Sequence, residues 1–308
     1  MEERRTKPNG LALAFACIIL LTLNSNAENV SMCIESSTSY ILSCQNTDGG
    51  FGQAPGTLSN NDYTAEAAMA LAQTGNIESA LKGGKTPLDY LTANPPSEST
   101  SSYAAVLGKY LMGVLAAGGD PSNIDGVNYV QKLKDATKSG LQAYPFADAL
   151  VLLGLAATGE GGSQEAKDYV SLVKAAQSDG GWWNDVDSTG LMVNALIAVG
   201  ESPKSSTIKD AMKFLSKAQN SDGGFPGMAG PASNSDSDAC AIMAINAKGD
   251  AISDWSKNGK TPVAHLLSCQ QPGGLIWWKP DASGAIGYYM MQTSWGAIAL
   301  DGGYLPTV

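Results

Sequence analysis

Hydrophobic positions recur at the spacing of one helical face along most of the chain, and the segments they define alternate between two kinds. The first kind, over 35–46, 77–94, 122–138, 164–177, 205–219 and 259–270, carries lysines, glutamines and serines on one face. The second, over 62–74, 102–117, 146–158, 187–199, 237–248 and 290–300, is richer in Ala, Gly, Leu and Met. These segments mostly stop at a glycine in the helix-ending position, as at Gly75, Gly159, Gly200 and Gly249. A polar face predicts an outer helix, and an apolar surface all round predicts an inner helix buried on nearly all sides. The alternation therefore predicts an all-α fold of twelve helices, in which six hairpins close into a ring with inner and outer layers.

A repeated phrase joins several outer segments to the inner ones. It reads Gln45-Asn46-Thr47-Asp48-Gly49-Gly50-Phe51, Gln177-Ser178-Asp179-Gly180-Gly181-Trp182-Trp183, Gln219-Asn220-Ser221-Asp222-Gly223-Gly224-Phe225, and more loosely Gln270-Gln271-Pro272-Gly273-Gly274-Leu275-Ile276-Trp277-Trp278. The steps are 42 residues from Gln177 to Gln219, 51 from Gln219 to Gln270, and 132, or three of 44, from Gln45 to Gln177. That period marks a supersecondary unit that buries its apolar face only by stacking on its neighbours. Glycines allow the sharp reversal, the Asp is expected to bond turn amides, and the aromatic to wedge between hairpins. Hairpins two and three lack the phrase.

With 44% hydrophobic and 16% charged residues, the composition is that of a folded chain with a large core. Arg4, Arg5 and Lys7 precede an apolar run from Leu11 to Leu23 and then Ser25-Asn26-Ala27. This pattern predicts a secretory signal over 1–27, with an uncleaved anchor as the alternative, a single domain over 28–308, and a secreted or cell-surface protein without a membrane span after cleavage. The net charge of −10 disfavours nucleic acid and anionic membranes as partners. Cys33, Cys44, Cys240 and Cys269 remain outside the signal. Cys44 and Cys269 share one repeat slot and a closed ring brings those slots near each other, so bridged and free buried thiols are both open readings.

The phrase resembles the Gln-Trp repeat of the α/α toroid superfamily, which includes squalene and terpene cyclases and protein prenyltransferase β subunits. Gln177, Gly181 and Trp183 fit that repeat as it stands, while Gln45 and Gln219 fit it with Phe in place of Trp. The resemblance spans 35–303 and implies the toroid fold. It says less about function, because the superfamily also includes cobalamin carriers. The Gly-Cys-Gly-Glu-Gln motif of thioester proteins does not occur in the chain.

Asp185-Val186-Asp187-Ser188-Thr189 is similar to the Asp-x-Asp-Asp-Thr motif of class II terpene cyclases, with Ser188 in place of the last Asp. The resemblance makes Asp187 the acid that protonates an alkene and Asp185 its neighbour; clustered carboxyls raise one another's pKa and keep a proton at neutral pH. A plainer reading makes Asp187 a helix cap, since Asp62 and Asp236 precede Leu71 and Ile245 by the nine residues that separate Asp187 from Leu196. Asp236, Tyr103 and Trp295 are the candidates for ligand contact at the rim. Asp238-Ala239-Cys240 looks like the Asp-x-Cys pair that binds zinc in protein prenyltransferases. Gln292 stands about where that family has its His, and His265 is expected to face away from the rim, so neither zinc nor another cofactor is expected. The Trp182-Trp183 and Trp277-Trp278 pairs are expected to be packing wedges.

The inner runs are aliphatic, with few aromatic faces for a carbocation, and the chain has room for only one of the two helical domains usual in cyclases. The reading favoured here is a toroid that binds a small apolar or isoprenoid-like ligand, or a surface protein partner. The alternative is a class II cyclase-like isomerase acting through Asp187; a zinc prenyltransferase is more remote.

Overall fold

The computed structural model describes residues 10–100, 102–228, 232–282 and 289–307, with side chains from residue 27 onward. Among the described residues twelve α-helices form two rings. The outer helices are α1 (Gly10–Ser43), α3 (Pro87–Ala93), α5 (Tyr129–Thr137), α7 (Gln164–Ala175), α9 (Ser206–Ala218) and α11 (Pro262–Ser268). The inner helices are α2 (Asn61–Gln73), α4 (Tyr103–Ala116), α6 (Pro145–Ala157), α8 (Val186–Ala198), α10 (Ser235–Lys248) and α12 (Tyr289–Leu300). Each inner helix packs on the next, and α12 returns to α2, so the inner ring is closed. The all-α toroid expected from the sequence is the fold observed.

The inner helices match the expected segments to within a residue or two, while α3, α5 and α11 are much shorter than predicted. Two-residue hairpin turns cut into these three segments, pairing Lys82 with Lys85, Ile124 with Val127 and Lys257 with Lys260. In the last turn Asn258 and Gly259 both have positive φ, the geometry that Asn-Gly favours. Thr86, Asn128 and Thr261 then cap the short helices that follow. A helical period read across these turns hides them.

Two aspartates of the repeated phrase bond turn amides as expected, and its Gln has a role that the sequence did not show. Asp48 and Asp222 accept from the amides of Gly50 and Gly224, each at 3.0 Å. The Gln reaches both its own turn and the next outer element: Gln177 donates to Thr207 O at 3.0 Å, and Gln219 to Trp255 O at 3.0 Å. Gln270 donates to Cys33 O in α1 at 2.9 Å and so ties the last hairpin to the first. At this seam Gly274 is obligatory, because a Cβ there would collide with the carbonyl of Ser36. Phe51, Trp182 and Phe225 are the buried wedges, but in the fourth phrase Ile276 fills that slot. The second Trp of the first pair is no wedge: Trp183 is 60% exposed at φ 55. Trp277 stacks on Tyr289 instead.

Cys33, Cys44, Cys240 and Cys269 are all buried and free, so no disulfide forms among the described residues. The basic residues of the expected signal lie outside the described residues, and the backbone of its apolar run belongs to α1. No helix among the described residues is long and apolar enough to cross a membrane.

Candidate functional site

A cavity of about 410 Å³ opens at the rim where the inner helices begin, and all six contribute to its wall. Its lining falls into two tiers one helical turn apart, since residues i and i+4 share a helix face. Asp62, Asp236 and Met291 stand at the mouth; Glu66, Cys240 and Trp295 lie one turn deeper on the same three helices. Glu66, Cys240 and Trp295 are nearly inaccessible to solvent, whereas Asp62 and Tyr144 are exposed. The cavity is therefore blind at its deep end and open at the rim.

Its polar groups are unevenly matched. Lys109 on α4 bonds Glu66 Oε1 at 2.8 Å and lies 3.7 Å from Asp62 Oδ1. Burial alone would lower the Lys109 pKa, but the two carboxylates outweigh it and keep the ammonium charged. Gln292 Nε2 donates to Asp236 Oδ2 at 3.3 Å. Three buried oxygens on the lining have no partner: Glu66 Oε2, Asp187 Oδ1 and Asp236 Oδ1. Burial, with Asp185 close by, pushes the Asp187 carboxyl up to about 8, Ser237 acting against it. Burial also pushes Asp236 up to about 7, with Gln292 opposing and Glu66 adding to the rise. Both groups hold protons near neutrality, as a proton donor requires. Phe146 and Trp295 add an apolar wall, their rings stacked with centroids 5.6 Å apart.

The expected site residues divide. Asp187, Asp236 and Trp295 meet in this cavity, while Tyr103 lies in a separate groove beside Glu98 and Lys132. Asp185 is the cap of α8, accepting from Ser188 N at 2.8 Å. The cap reading of Asp187 is thus corrected. The equivalent caps in α2 and α10 are Asn60 and Asn234, and the recurring aspartates two residues later, Asp62, Asp187 and Asp236, face the cavity. Glu66 and Lys109 escaped the sequence reading. Their signal was present, as charged side chains inside otherwise apolar inner runs.

Asp238 and Cys240 do not form a metal pair. Cys240 lines the cavity, its thiol held protonated by burial and the nearby Asp187 and Asp236. Asp238 turns outward, accepting from Phe225 N at 2.7 Å and meeting His265 Nδ1 at 2.5 Å. The expectation that His265 faces away from Asp238 is therefore overturned. These two residues and Cys269 have ligand atoms within 4.8 Å of one another. The repeat explains the trio without a metal. Thr64, Thr189 and Thr293 bond the amides of Phe51, Trp182 and Ile276 much as Asp238 bonds that of Phe225. Asp148 makes the same kind of bond to Gln142 N and pairs with Tyr169 of the next outer helix at 2.6 Å, much as Asp238 pairs with His265. Cys269 fills a position that is Ala176 or Ala218 in other repeats. A zinc site of the prenyltransferase type does not fit this chain: its Asp and Cys diverge, and Gln292 is bonded to Asp236.

The family model of the prenyltransferase alpha-alpha toroid domain matches residues 9–98 and 128–290. The chain belongs to this family. No curated protein matches the sequence. Among solved structures, this toroid is similar to the type II terpene cyclase MstE from Scytonema, at TM-score 0.60 and 17% identity over 89% of this chain and 98% of that one. A variant of the same cyclase in complex with its substrate, geranylgeranyl dihydroxybenzoate, is similar at TM-score 0.56 and 15% identity, over 91% and 98%. A glycosidase variant in complex with glucose is similar at TM-score 0.61 and 13% identity, over 90% and 97%. Such low identities establish a shared fold, and the toroid evidently serves several chemistries.

Proposed function

We propose that this toroid is an exported protein that binds a small organic molecule in its central cavity, the apolar part of the molecule lying against Phe146 and Trp295. One observation carries the reading: a blind cavity of about 410 Å³ walled by all six inner helices, with polar atoms left unpartnered inside it. That size lies within the range of about 300–1,000 Å³ usual for small-molecule sites. Export rests on the basic and apolar pattern of the first 27 residues. The prenyl substrate of the structurally similar cyclase supports an apolar component in the ligand.

A second reading has its own support. Asp187 carries a proton near neutral pH and has a buried, unpartnered oxygen in the cavity, which are the requirements for protonating an alkene. In that event Asp187 donates its proton to one alkene carbon, the cation that results is attacked by a second alkene of the same molecule beside Phe146 and Trp295, and loss of a proton to water leaves the cyclised product.

Native mass spectrometry of the secreted protein, with organic extraction of what co-purifies, tests the binding reading. A stoichiometric small molecule lost in a Met291→Trp variant that narrows the mouth supports it; an identical molecule retained by that variant refutes it. Incubation with polyprenyl alkenes in D₂O tests the acid. Deuterium on carbon in a cyclised product, absent with Asp187→Asn, establishes it, and unlabelled or unchanged alkene rules it out.

A further inference from the structure

We propose that the ligand for which this cavity is shaped carries a protonated amine, an ammonium head on a small apolar body. The inference rests on the reading of the cavity as a small-molecule site and goes further, to the chemical class of the ligand.

The first argument is the balance of unpartnered atoms. The lining offers three unpartnered carboxyl oxygens, Glu66 Oε2, Asp187 Oδ1 and Asp236 Oδ1, each an acceptor once its carboxyl is ionised, against one other unpartnered donor, Trp295 Nε1. A hydrocarbon satisfies none of the oxygens, and a buried acceptor left unmade is costly. An alcohol supplies one donor. A primary ammonium supplies three, with no acceptor of its own to satisfy.

The second argument is charge. Four carboxyls line the cavity, those of Asp62, Glu66, Asp187 and Asp236, against one ammonium, that of Lys109. Lys109 is already engaged by Glu66 and Asp62. A cation entering beside Asp187 and Asp236 gives those carboxyls the opposite charge that favours their ionised form. A phosphate or carboxylate head would meet like charge there. The helix N-termini around the mouth favour anions, but weakly, and their effect fades within the first turn.

The third argument is the stacked pair. The faces of Phe146 and Trp295 suit a cation, and the lysines that lie over aromatic rings among the described residues do so elsewhere, Lys132 on Tyr129 and Lys279 on Trp278. Carboxyls, aromatic faces and a scarcity of donors together describe an amine pocket.

The test compares two probes with one carbon skeleton, geranylamine and geraniol, by isothermal titration of the full mature protein at pH 7. Geranylamine is expected to bind at least about tenfold more tightly. A double Asp187→Asn, Asp236→Asn variant is expected to abolish that preference, and its melting temperature confirms that it is folded. Geraniol binding as tightly as the amine overturns the ammonium inference and leaves the cavity reading intact. Binding of neither probe, or of both undiminished in Met291→Trp, overturns the two together.

Discussion

Asp187→Asn is expected to stabilise the protein, and increasingly so as pH rises. The Asp187 carboxyl titrates near 8 in the fold, against 3.8 for an ordinary Asp. Between those values the native state keeps a proton that the unfolded chain has released, so its contribution to stability falls as pH rises through this window. From pH 5 to pH 8 the whole shift corresponds to about 4 kcal/mol. Asp187 is only half-buried, although its Oδ1 is sealed, so solvent screening takes part of this and about 2 kcal/mol is the working figure. Asparagine copies the neutral acid at every pH and escapes the loss. Urea unfolding of wild type and variant at pH 5, 6.5 and 8 reads it directly, provided the m-value is unchanged. The stability difference in favour of the variant should widen by about 2 kcal/mol across the series. A difference that stays flat, or a variant less stable than wild type at pH 8, would refute the assignment of Asp187 as a buried acid aimed into the cavity.

Asp185→Ala should cost about 1 kcal/mol, because it removes the cap on α8, and thermal melts should show the loss at neutral pH. His265→Phe should destabilise by about 2–3 kcal/mol at pH 7, since it strands the buried Asp238 Oδ2. Adding Asp238→Thr, the residue used in three other repeats, should restore most of that loss; a double variant no better than the single refutes the repeat-slot explanation. Gln270→Ala breaks the bond that joins the last hairpin to α1 and should cost about 1–2 kcal/mol in urea unfolding. If exchange of the α1 amides is no faster in this variant, that bond does not hold the seam.

Hydrophobic period and the repeated Gln-to-aromatic phrase were enough to read the ring. Each inner helix is apolar on nearly all sides, a pattern that leaves it no stable place except inside a second layer. The three hairpin turns before α3, α5 and α11 were also legible, as Gly-Gly, Asp-Gly and Asn-Gly pairs, but a helix-length apolar pattern runs across them. The candidate site was legible only in part. Asp187, Asp236 and Trp295 could be named, whereas Glu66 and Lys109 lie in different hairpins and acquire meaning only as an ion pair.

What the sequence determined by itself is therefore local and periodic: which segments are helices, which face of each is apolar, and where the turns recur. Direction around the ring axis was left to the tertiary structure. Two aspartates two residues apart on one helix, Asp236 and Asp238, point to different surroundings, one into the cavity and the other to His265 on the outer layer. Each turn of roughly 100° per residue reassigns a side chain to a new neighbour, and only closing the ring settles which neighbour that is. The same closure helps set the acidity of Asp187: Asp185 is its neighbour in sequence, but burial in the ring and the carboxyls of Asp236 and Asp238, which also raise it, come from elements distant in the chain.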